Sequence, residues 1–139
     1  MKKIYFIILI VFVGFFISTF LFSSVSQSGK VGDYFYKNLQ SSNYDAIIQI
    51  LDKDALNQKT KNEWLETLKL NKENLGNSFI YKNTGFHTLT VNNQNIIKLN
   101  YSIDNGNGIT FNIIELIKRD DGYRIINYYS ENKFVINDN

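Results

Sequence analysis

The chain contains no cysteine and no proline, and its 139 residues include one histidine and one tryptophan. Without cysteine it cannot form disulfide bonds, zinc–thiolate sites, a thiol nucleophile or a lipid-modified cysteine. Without proline, its turns must be built from Asn, Asp and Gly. We therefore expect the folded domain to depend on side-chain packing for its stability.

The charge balance argues against a nucleic-acid partner. The formal net charge of +2 arises from 15 Lys and Arg against 13 Asp and Glu. Lys2 and Lys3 supply this surplus, so residues 23–139 are neutral overall. A nucleic-acid-binding surface needs clustered Lys and Arg, and we predict no such surface here.

The N-terminal segment has the composition of a membrane-targeting sequence. Lys2 and Lys3 precede Ile4–Phe22, a run without any charged residue. A spanning helix needs about 20 apolar residues, whereas the apolar part of a signal peptide has roughly 7–15. The length favours an uncleaved single-pass anchor in residues 1–22. The lysines place the N-terminus inside and the following domain outside, in the periplasm or the extracellular space.

The alternative is a cleaved signal peptide and a secreted domain. Ser24 and Ser26 have the small-x-small spacing that signal peptidase accepts, so Ser26 is the candidate cleavage position. Residues 23–30 are polar and are predicted to form a flexible spacer. Both alternatives place the remaining domain outside the cytoplasm.

Three helices are predicted after the spacer. Val31, Phe35 and Leu39 lie on one stripe of the first helix, with Tyr34 beside them. Asn43 is the candidate N-cap of the second helix. The apolar positions of the second helix are Tyr44, Ile47, Ile48 and Leu51.

The third helix has the clearest boundaries. Asp52-Lys53-Asp54 interrupts the apolar pattern before it, and we interpret these residues as a solvated turn and cap. Thr60 and Glu63 have the spacing of a capping box, and Gly76 is a natural stop. The predicted buried face of this helix is formed by Trp64, Leu68 and Leu75.

After Gly76 the apolar period changes from 3.6 residues to two, which predicts β-strands. Gly85 is a predicted bulge, and Asn-Gly and Asp-Gly sequences predict hairpin turns. The third strand is apolar on both faces, so we expect its centre to be covered on both sides. The predicted strand segments are Phe79–Val91, Ile97–Ile103, Ile109–Lys118 and Tyr123–Tyr129.

The predicted fold class is α+β. Three helices pack on a bent antiparallel four-stranded meander, in the order α-α-α-β-β-β-β. The domain covers residues 31–131, and residues 132–139 form a tail with a candidate strand extension at Phe134-Val135-Ile136.

Four segments carry a family resemblance: Tyr34-Phe35-Tyr36, Ser42–Ala46, Trp64 with Leu75-Gly76, and Asp121–Tyr128. Across roughly residues 30–130 the chain resembles the nuclear-transport-factor-two-like, cystatin-like cone-fold superfamily, and within it the small exported domains of unknown function. The resemblance implies a bent sheet wrapped around a helix, with a pocket between them. Since that fold hosts enzymes, binding proteins and dimerisation modules, it does not assign a function.

His87 is a weak catalytic candidate. The resemblance implies that an enzyme of this fold would use Asp, His or Tyr in its pocket, but no partner for His87 is fixed by spacing. We interpret His87 as a partly exposed strand residue. The acidic residues have no recognisable metal-ligand spacing, and we predict no metal and no cofactor.

The candidate pocket residues are aromatic: Trp64, Tyr101, Tyr123 and Tyr128. Strand tyrosines can place a ring against a pocket with the hydroxyl at its mouth, and core packing is the alternative. Lys118, Arg119 and Arg124 form a basic cluster, either a solvated hairpin end or a contact for anionic lipid or an acidic partner.

These observations predict a non-catalytic binding or accessory module on the extracytoplasmic side. Its expected partners are the membrane, through the N-terminal helix, and a small apolar ligand, a second copy of the chain or an envelope protein. One alternative is a small-molecule isomerase or dehydratase of the cone fold. The other is a dimerisation or assembly module of an envelope complex.

Overall fold

The computed structural model describes the backbone of residues 26–135 and the side chains of residues 26–130. The predicted membrane segment Ile4–Phe22 and residues 23–25 of the predicted spacer lie outside the described residues. Within residues 26–135, no helix is long and apolar enough to cross a bilayer. The described region is α+β, as predicted, with helices followed by a four-stranded antiparallel sheet.

The described region has four helices where the sequence predicted three. The described part of α1 covers residues 26–40, and α2 (Tyr44–Gln49), α3 (Lys53–Gln58) and α4 (Lys61–Leu75) follow. Helix α3 was not predicted because its six residues carry no apolar stripe. Ala55 is its one buried residue.

The spacer prediction is wrong for residues 26–30. These residues are helical and lead directly into the rest of α1, and Ser28 is buried. A short polar segment gives no periodic signal, so its helical state follows from the helix that it extends. The candidate cleavage position Ser26 lies at the start of this described helical segment.

The buried face of α1 differs from the prediction at one position. Phe35 and Leu39 are fully buried as predicted, but Tyr36 is buried with them while Tyr34 is 44% exposed. The Tyr36 ring stacks on Tyr81 at a centroid distance of 4.9 Å. Aromatic packing against the sheet therefore decides which of the two neighbouring tyrosines faces inward.

The end signals of α4 are confirmed. The Thr60 hydroxyl accepts a hydrogen bond from the Glu63 N–H, and the Glu63 carboxylate accepts one from the Thr60 N–H. Gly76 ends the helix with a φ of 80°, a value that glycine adopts without strain. The predicted inward residues Trp64, Leu68 and Leu75 are all buried.

The sheet is a meander in which each strand pairs with the next along the chain. Its strands are β1 (Ile80–Val91), β2 (Gln94–Asp104), β3 (Ile109–Arg119) and β4 (Gly122–Val135). The register shifts between Asn83 and Gly85, which confirms the predicted bulge. Strand β4 continues to Val135, which confirms the candidate strand extension at residues 134–135 and places residues 132–133 in the same strand. Residue 136 lies outside the described residues.

The central strand β3 is buried on both faces, as predicted. Ile114 and Leu116 belong to the core between the helices and the inner face of the sheet. Ile113 and Ile117 lie on the opposite face and are also buried. The fold therefore encloses β3 most deeply.

The two edges of the sheet differ. At β4, the segment between α2 and α3 adds a short parallel bridge from Leu51 to Ile125. The Asp52 N–H donates to the Ile125 carbonyl at 2.7 Å, and the Ile125 N–H donates to the Ile50 carbonyl at 2.9 Å. At the other edge, β1 pairs only with β2 in the described part of the chain.

Candidate functional site

The four aromatic pocket candidates lie in the core. Trp64, Tyr101, Tyr123 and Tyr128 are each at most 9% exposed, and all four belong to the main hydrophobic cluster. The Trp64 indole N–H donates to the Ala55 carbonyl at 3.2 Å, which joins α4 to α3. None of these four side chains lines the cavities described below. Core packing, the alternative to a pocket role, therefore accounts for all four side chains.

His87 is exposed on β1, where Lys98 of β2 is its cross-strand neighbour. A general base needs a partner that orients it and a reacting group within reach. Among residues 26–130, no cluster of three or more His, Asp or Glu side chains could hold a metal ion. The position of His87 gives no support for a catalytic role.

The predicted basic cluster is largely neutralised by ion pairs. Arg119 donates to both carboxylate oxygens of Asp52 at 2.7 and 2.8 Å, and also to Asp54 at 2.8 Å. Arg124 pairs with Asp121 and donates to the Gln49 carbonyl. The two arginines therefore anchor the last hairpin to the helices and do not form a free anion-binding surface.

Asp52 is buried, which corrects the prediction of a solvated turn. Its side chain is 4% exposed and caps α3 by accepting the Asp54 N–H at 3.0 Å. The hydrogen bonds from Arg119 are the main cause that lowers the pKa of Asp52. The predicted capping role is confirmed, and the solvated environment is wrong because Arg119 supplies the compensating charge.

A polar cavity of about 420 Å³ lies between the C-terminal end of α4 and the sheet. We call it the α4 cavity. Helix α4 contributes three residues, the β2–β3 turn contributes one, and β3 and β4 supply the rest. Its lining residues are Asn71, Asn74, Leu75, Asn105, Thr110, Asn112 and Ser130.

Local geometry explains why these side chains converge. Asn71 and Asn74 are three residues apart on α4, so they share one face of that helix. Thr110 and Asn112 are two residues apart on β3 and point to the same side of the sheet. Ser130 of β4 is the cross-strand partner of Asn112 and therefore joins them.

Two residues that line the α4 cavity each have a buried side-chain atom without a hydrogen-bond partner: Thr110 Oγ1 and Asn112 Oδ1. The Asn112 amide uses its other atom, since Nδ2 donates to the Tyr128 hydroxyl at 2.9 Å. If the amide turns over, Nδ2 becomes the unpaired atom instead. Buried polar atoms in folded proteins are normally paired, and leaving one unpaired costs about 1–3 kcal/mol.

Tyrosine hydroxyls lie behind the α4 cavity. Burial raises the pKa of Tyr128 and of Tyr36, whose hydroxyls lie next to Asn112. Burial also raises the pKa of the neighbouring Tyr101 to about 12. These hydroxyls consequently stay protonated at physiological pH. The α4 cavity therefore presents amide and hydroxyl groups without any charge.

The other cavities are less suited to a ligand. One cavity of about 510 Å³ is an open groove across the β1–β2 and β3–β4 turns, and it includes Arg119, which is already paired with Asp52. A cavity of about 250 Å³ lies around Arg119 and Arg124. A third, of about 470 Å³, lies beside Phe79. None of their lining residues has a buried, unpaired side-chain atom among those described.

The residues of the α4 cavity were not predicted, because most of them carry amides or hydroxyls and the candidate residues were aromatic or ionisable. One signal was available in the sequence: Asn112 lies on the same inward face of β3 as Ile114 and Leu116. A single amide within an apolar strand is costly unless it has a partner. Such a residue indicates a polar site inside the fold.

No protein-family model, curated protein or solved structure matches the chain. The resemblance to the cone-fold superfamily therefore stays a prediction, and function is inferred from the geometry of the α4 cavity.

Proposed function

We propose that the chain is a non-catalytic binding module of the extracytoplasmic side, and that the α4 cavity holds an uncharged ligand bearing hydroxyl or amide groups. The observation that carries this proposal is the unpaired, buried state of Thr110 Oγ1 and Asn112 Oδ1. When the two side chains turn toward the α4 cavity, a ligand there can donate hydrogen bonds to both atoms and remove the cost of leaving them unpaired.

The lining chemistry supports a neutral ligand. The α4 cavity has no carboxylate, imidazole or amine among its lining residues. A charged ligand would lose its hydration there without gaining an opposite charge. The volume of about 420 Å³ lies within the range of small-molecule sites. The polar lining favours a sugar or an amide compound over the apolar ligand expected from the sequence.

The same lining favours binding over catalysis. Acid–base catalysis by a cone-fold enzyme would need an ionisable side chain that reaches the ligand. In the α4 cavity the reachable groups are amides and hydroxyls, which orient a ligand by hydrogen bonding. The extracytoplasmic location is supported by Lys2, Lys3 and the apolar run Ile4–Phe22.

Substitution of Thr110 by valine tests the ligand site. Thr110→Val preserves the side-chain shape and removes the unpaired hydroxyl, so stability should be unchanged or increased. Binding of uncharged probes should weaken by about 3- to 10-fold, because one hydrogen bond to the ligand is lost. The dissociation constants of N-acetylglucosamine, glucose and acetamide are measured by NMR titration of the purified chain.

Thr84→Val is the matched control, because Thr84 is exposed on β1 and does not line the α4 cavity. It should leave all dissociation constants unchanged. Equal binding by wild type and Thr110→Val would contradict the proposed site. So would binding of acetate or phosphate in preference to every uncharged probe.

The proposed location is tested by fractionation of cells that express the full-length chain, with the intact mass of the product. We expect either the full-length mass in the membrane fraction or a soluble exported chain that begins near Gln27. The first result identifies residues 1–22 as an anchor, and the second identifies them as a signal peptide. A full-length chain in the cytosolic fraction would contradict an extracytoplasmic role.

A further inference from the structure

Strand β1 forms an open edge of the sheet. It pairs with β2 on one side, and nothing in the described part of the chain pairs with its other side. The opposite edge is partly closed, because Leu51 bridges to Ile125 of β4. An exposed strand edge carries a row of free N–H and C=O groups that can accept another strand.

Exposed apolar side chains are concentrated on this strand. Seven large hydrophobic side chains are exposed in the described region, and four of them belong to β1: Ile80, Phe86, Leu89 and Val91. The other three are spread over α1, α3 and α4. Leu89 and Val91 lie on one face of the sheet and Phe86 lies on the other, so a strand that pairs with this edge would cover apolar side chains on both faces.

The two halves of β1 differ in their protection against pairing. The first half contains Lys82 and the bulge at Gly85, two features that discourage strand addition. The second half, Phe86–Val91, has no lysine, arginine, carboxylate, proline or register shift. Its alternating Thr, Leu and Val residues favour the extended conformation. The open edge is therefore limited to about six residues at one end of the strand.

We propose that Phe86–Thr90 is a homodimer interface, at which the same segment of a second copy adds as an antiparallel strand. A two-fold axis normal to the sheet and centred on Thr88 places Phe86 of one copy opposite Thr90 of the other. It also places His87 opposite Leu89. Lys82 lies beyond the end of the paired segment, so no like charges oppose each other.

The helices leave room for the second copy. Phe86 and Thr88 are cross-strand neighbours of Leu99 and Ile97, which are buried beneath the helices. Phe86 is nevertheless 47% exposed, and Thr88 is exposed as well. The helical layer therefore ends before it reaches this part of β1. The interface is small, and a weak dimer with a micromolar dissociation constant is expected.

This interface lies at the opposite end of β2 from the α4 cavity, since the β1–β2 turn follows Val91 and the cavity includes Asn105. The homodimer does not depend on ligand binding. A ligand that fails to bind would leave it unaffected.

Thr88→Lys tests the interface, because it sets two lysines directly opposite each other in the dimer while the side chain stays exposed in the monomer. Sedimentation equilibrium of the purified chain, in the form that cells accumulate, should show a concentration-dependent dimer for the wild type. The substitution should raise the dissociation constant by about tenfold or more. Thr84→Lys, the same change outside the paired segment, should behave like the wild type.

A second measurement uses the absence of cysteine. In the proposed pairing, the two Thr88 Cα atoms lie about 4.5–5.5 Å apart, a distance that a disulfide spans. Thr88→Cys should form a covalent dimer on oxidation, and Thr84→Cys should not. A wild-type chain that stays monomeric at millimolar concentration would overturn the proposal. A strand from a different protein would then be the partner to test at this edge. Equal dimerisation of wild type and Thr88→Lys would overturn it too.

Discussion

Gly32→Ala is expected to destabilise the domain by about 2 kcal/mol or more, while Gly29→Ala in the same helix stabilises it. A Cβ atom on Gly32 would clash with the Tyr101 hydroxyl and lie 2.8 Å from Tyr101 Cζ and 3.2 Å from a Leu99 methyl group. A Cβ atom on Gly29 meets nothing within 4 Å. The two substitutions share the gain in helix propensity of about 1 kcal/mol and differ only in the clash.

Tyr101 cannot easily move away from the new methyl group. It is 1% exposed, and its ring centroid lies 4.7 Å from that of Tyr36. Inserting a methyl group into such a packed site forces the helix away from the sheet, which typically costs about 1–3 kcal/mol in overpacked cores. Urea denaturation of both variants at pH 7 gives the two free energies of unfolding.

Tyr101→Phe provides an internal check on this explanation. Its hydroxyl is buried without a hydrogen-bond partner, so its removal alone should cost little. Combined with Gly32→Ala, it should recover part of the lost stability, because the closest contact disappears. If Gly32→Ala is as stable as Gly29→Ala, α1 does not approach the sheet as closely as described.

Asp52→Asn is the second substitution with a large expected effect, a loss of about 2–3 kcal/mol at pH 7. The asparagine keeps the shape of the side chain and the cap of α3 but removes the charge that Arg119 contacts with two hydrogen bonds. Arg119 then lies against the helices with only Asp54 as a charged partner. Urea denaturation of the wild type and of Asp52→Asn measures the difference in the free energy of unfolding.

The pH dependence of this effect follows from the lowered pKa of Asp52. Because the folded pKa lies below the unfolded value of about 3.9, the ion pair stabilises the fold fully above that value. The contribution is lost as the pH falls through the folded pKa. The difference between wild type and Asp52→Asn should therefore be constant near neutrality and shrink below about pH 4.

Asp45→Asn is the matched control for the charge change. Asp45 pairs with Lys61 at 3.4 Å, but both side chains are more than half exposed. Exposed pairs of this kind contribute less than about 1 kcal/mol. Equal losses of unfolding free energy for Asp45→Asn and Asp52→Asn would show that the burial of Asp52 does not strengthen its ion pair.

The features predicted correctly from the sequence are local ones. Thr60 with Glu63, Gly76 and the bulge at Gly85 each act within a few residues, so the chain alone reveals them. The burial of Asp52 could not be predicted in this way. Its partner Arg119 is 67 residues away, and the pattern around Asp52 is that of a solvated turn.

The candidate site was missed for a similar reason. Large aromatic residues such as Tyr101 and Tyr128 can fill a core or line a pocket, and only the packing decides between the two. Here they fill the core, and the void forms where α4 ends beside the polar residues Thr110 and Asn112. The relative position of a helix end and a strand is a tertiary property, so periodicity gave no indication of it.

The bridge between Leu51 and Ile125 has a consequence for folding. Each hairpin of the meander closes over a short turn, whereas this bridge closes a loop that includes most of the domain. Long loops are costlier to close than short ones, so the bridge is expected to form after the hairpins. Once formed, it ties the helical half to the last strand. Both halves should then lose their structure together, in one cooperative transition.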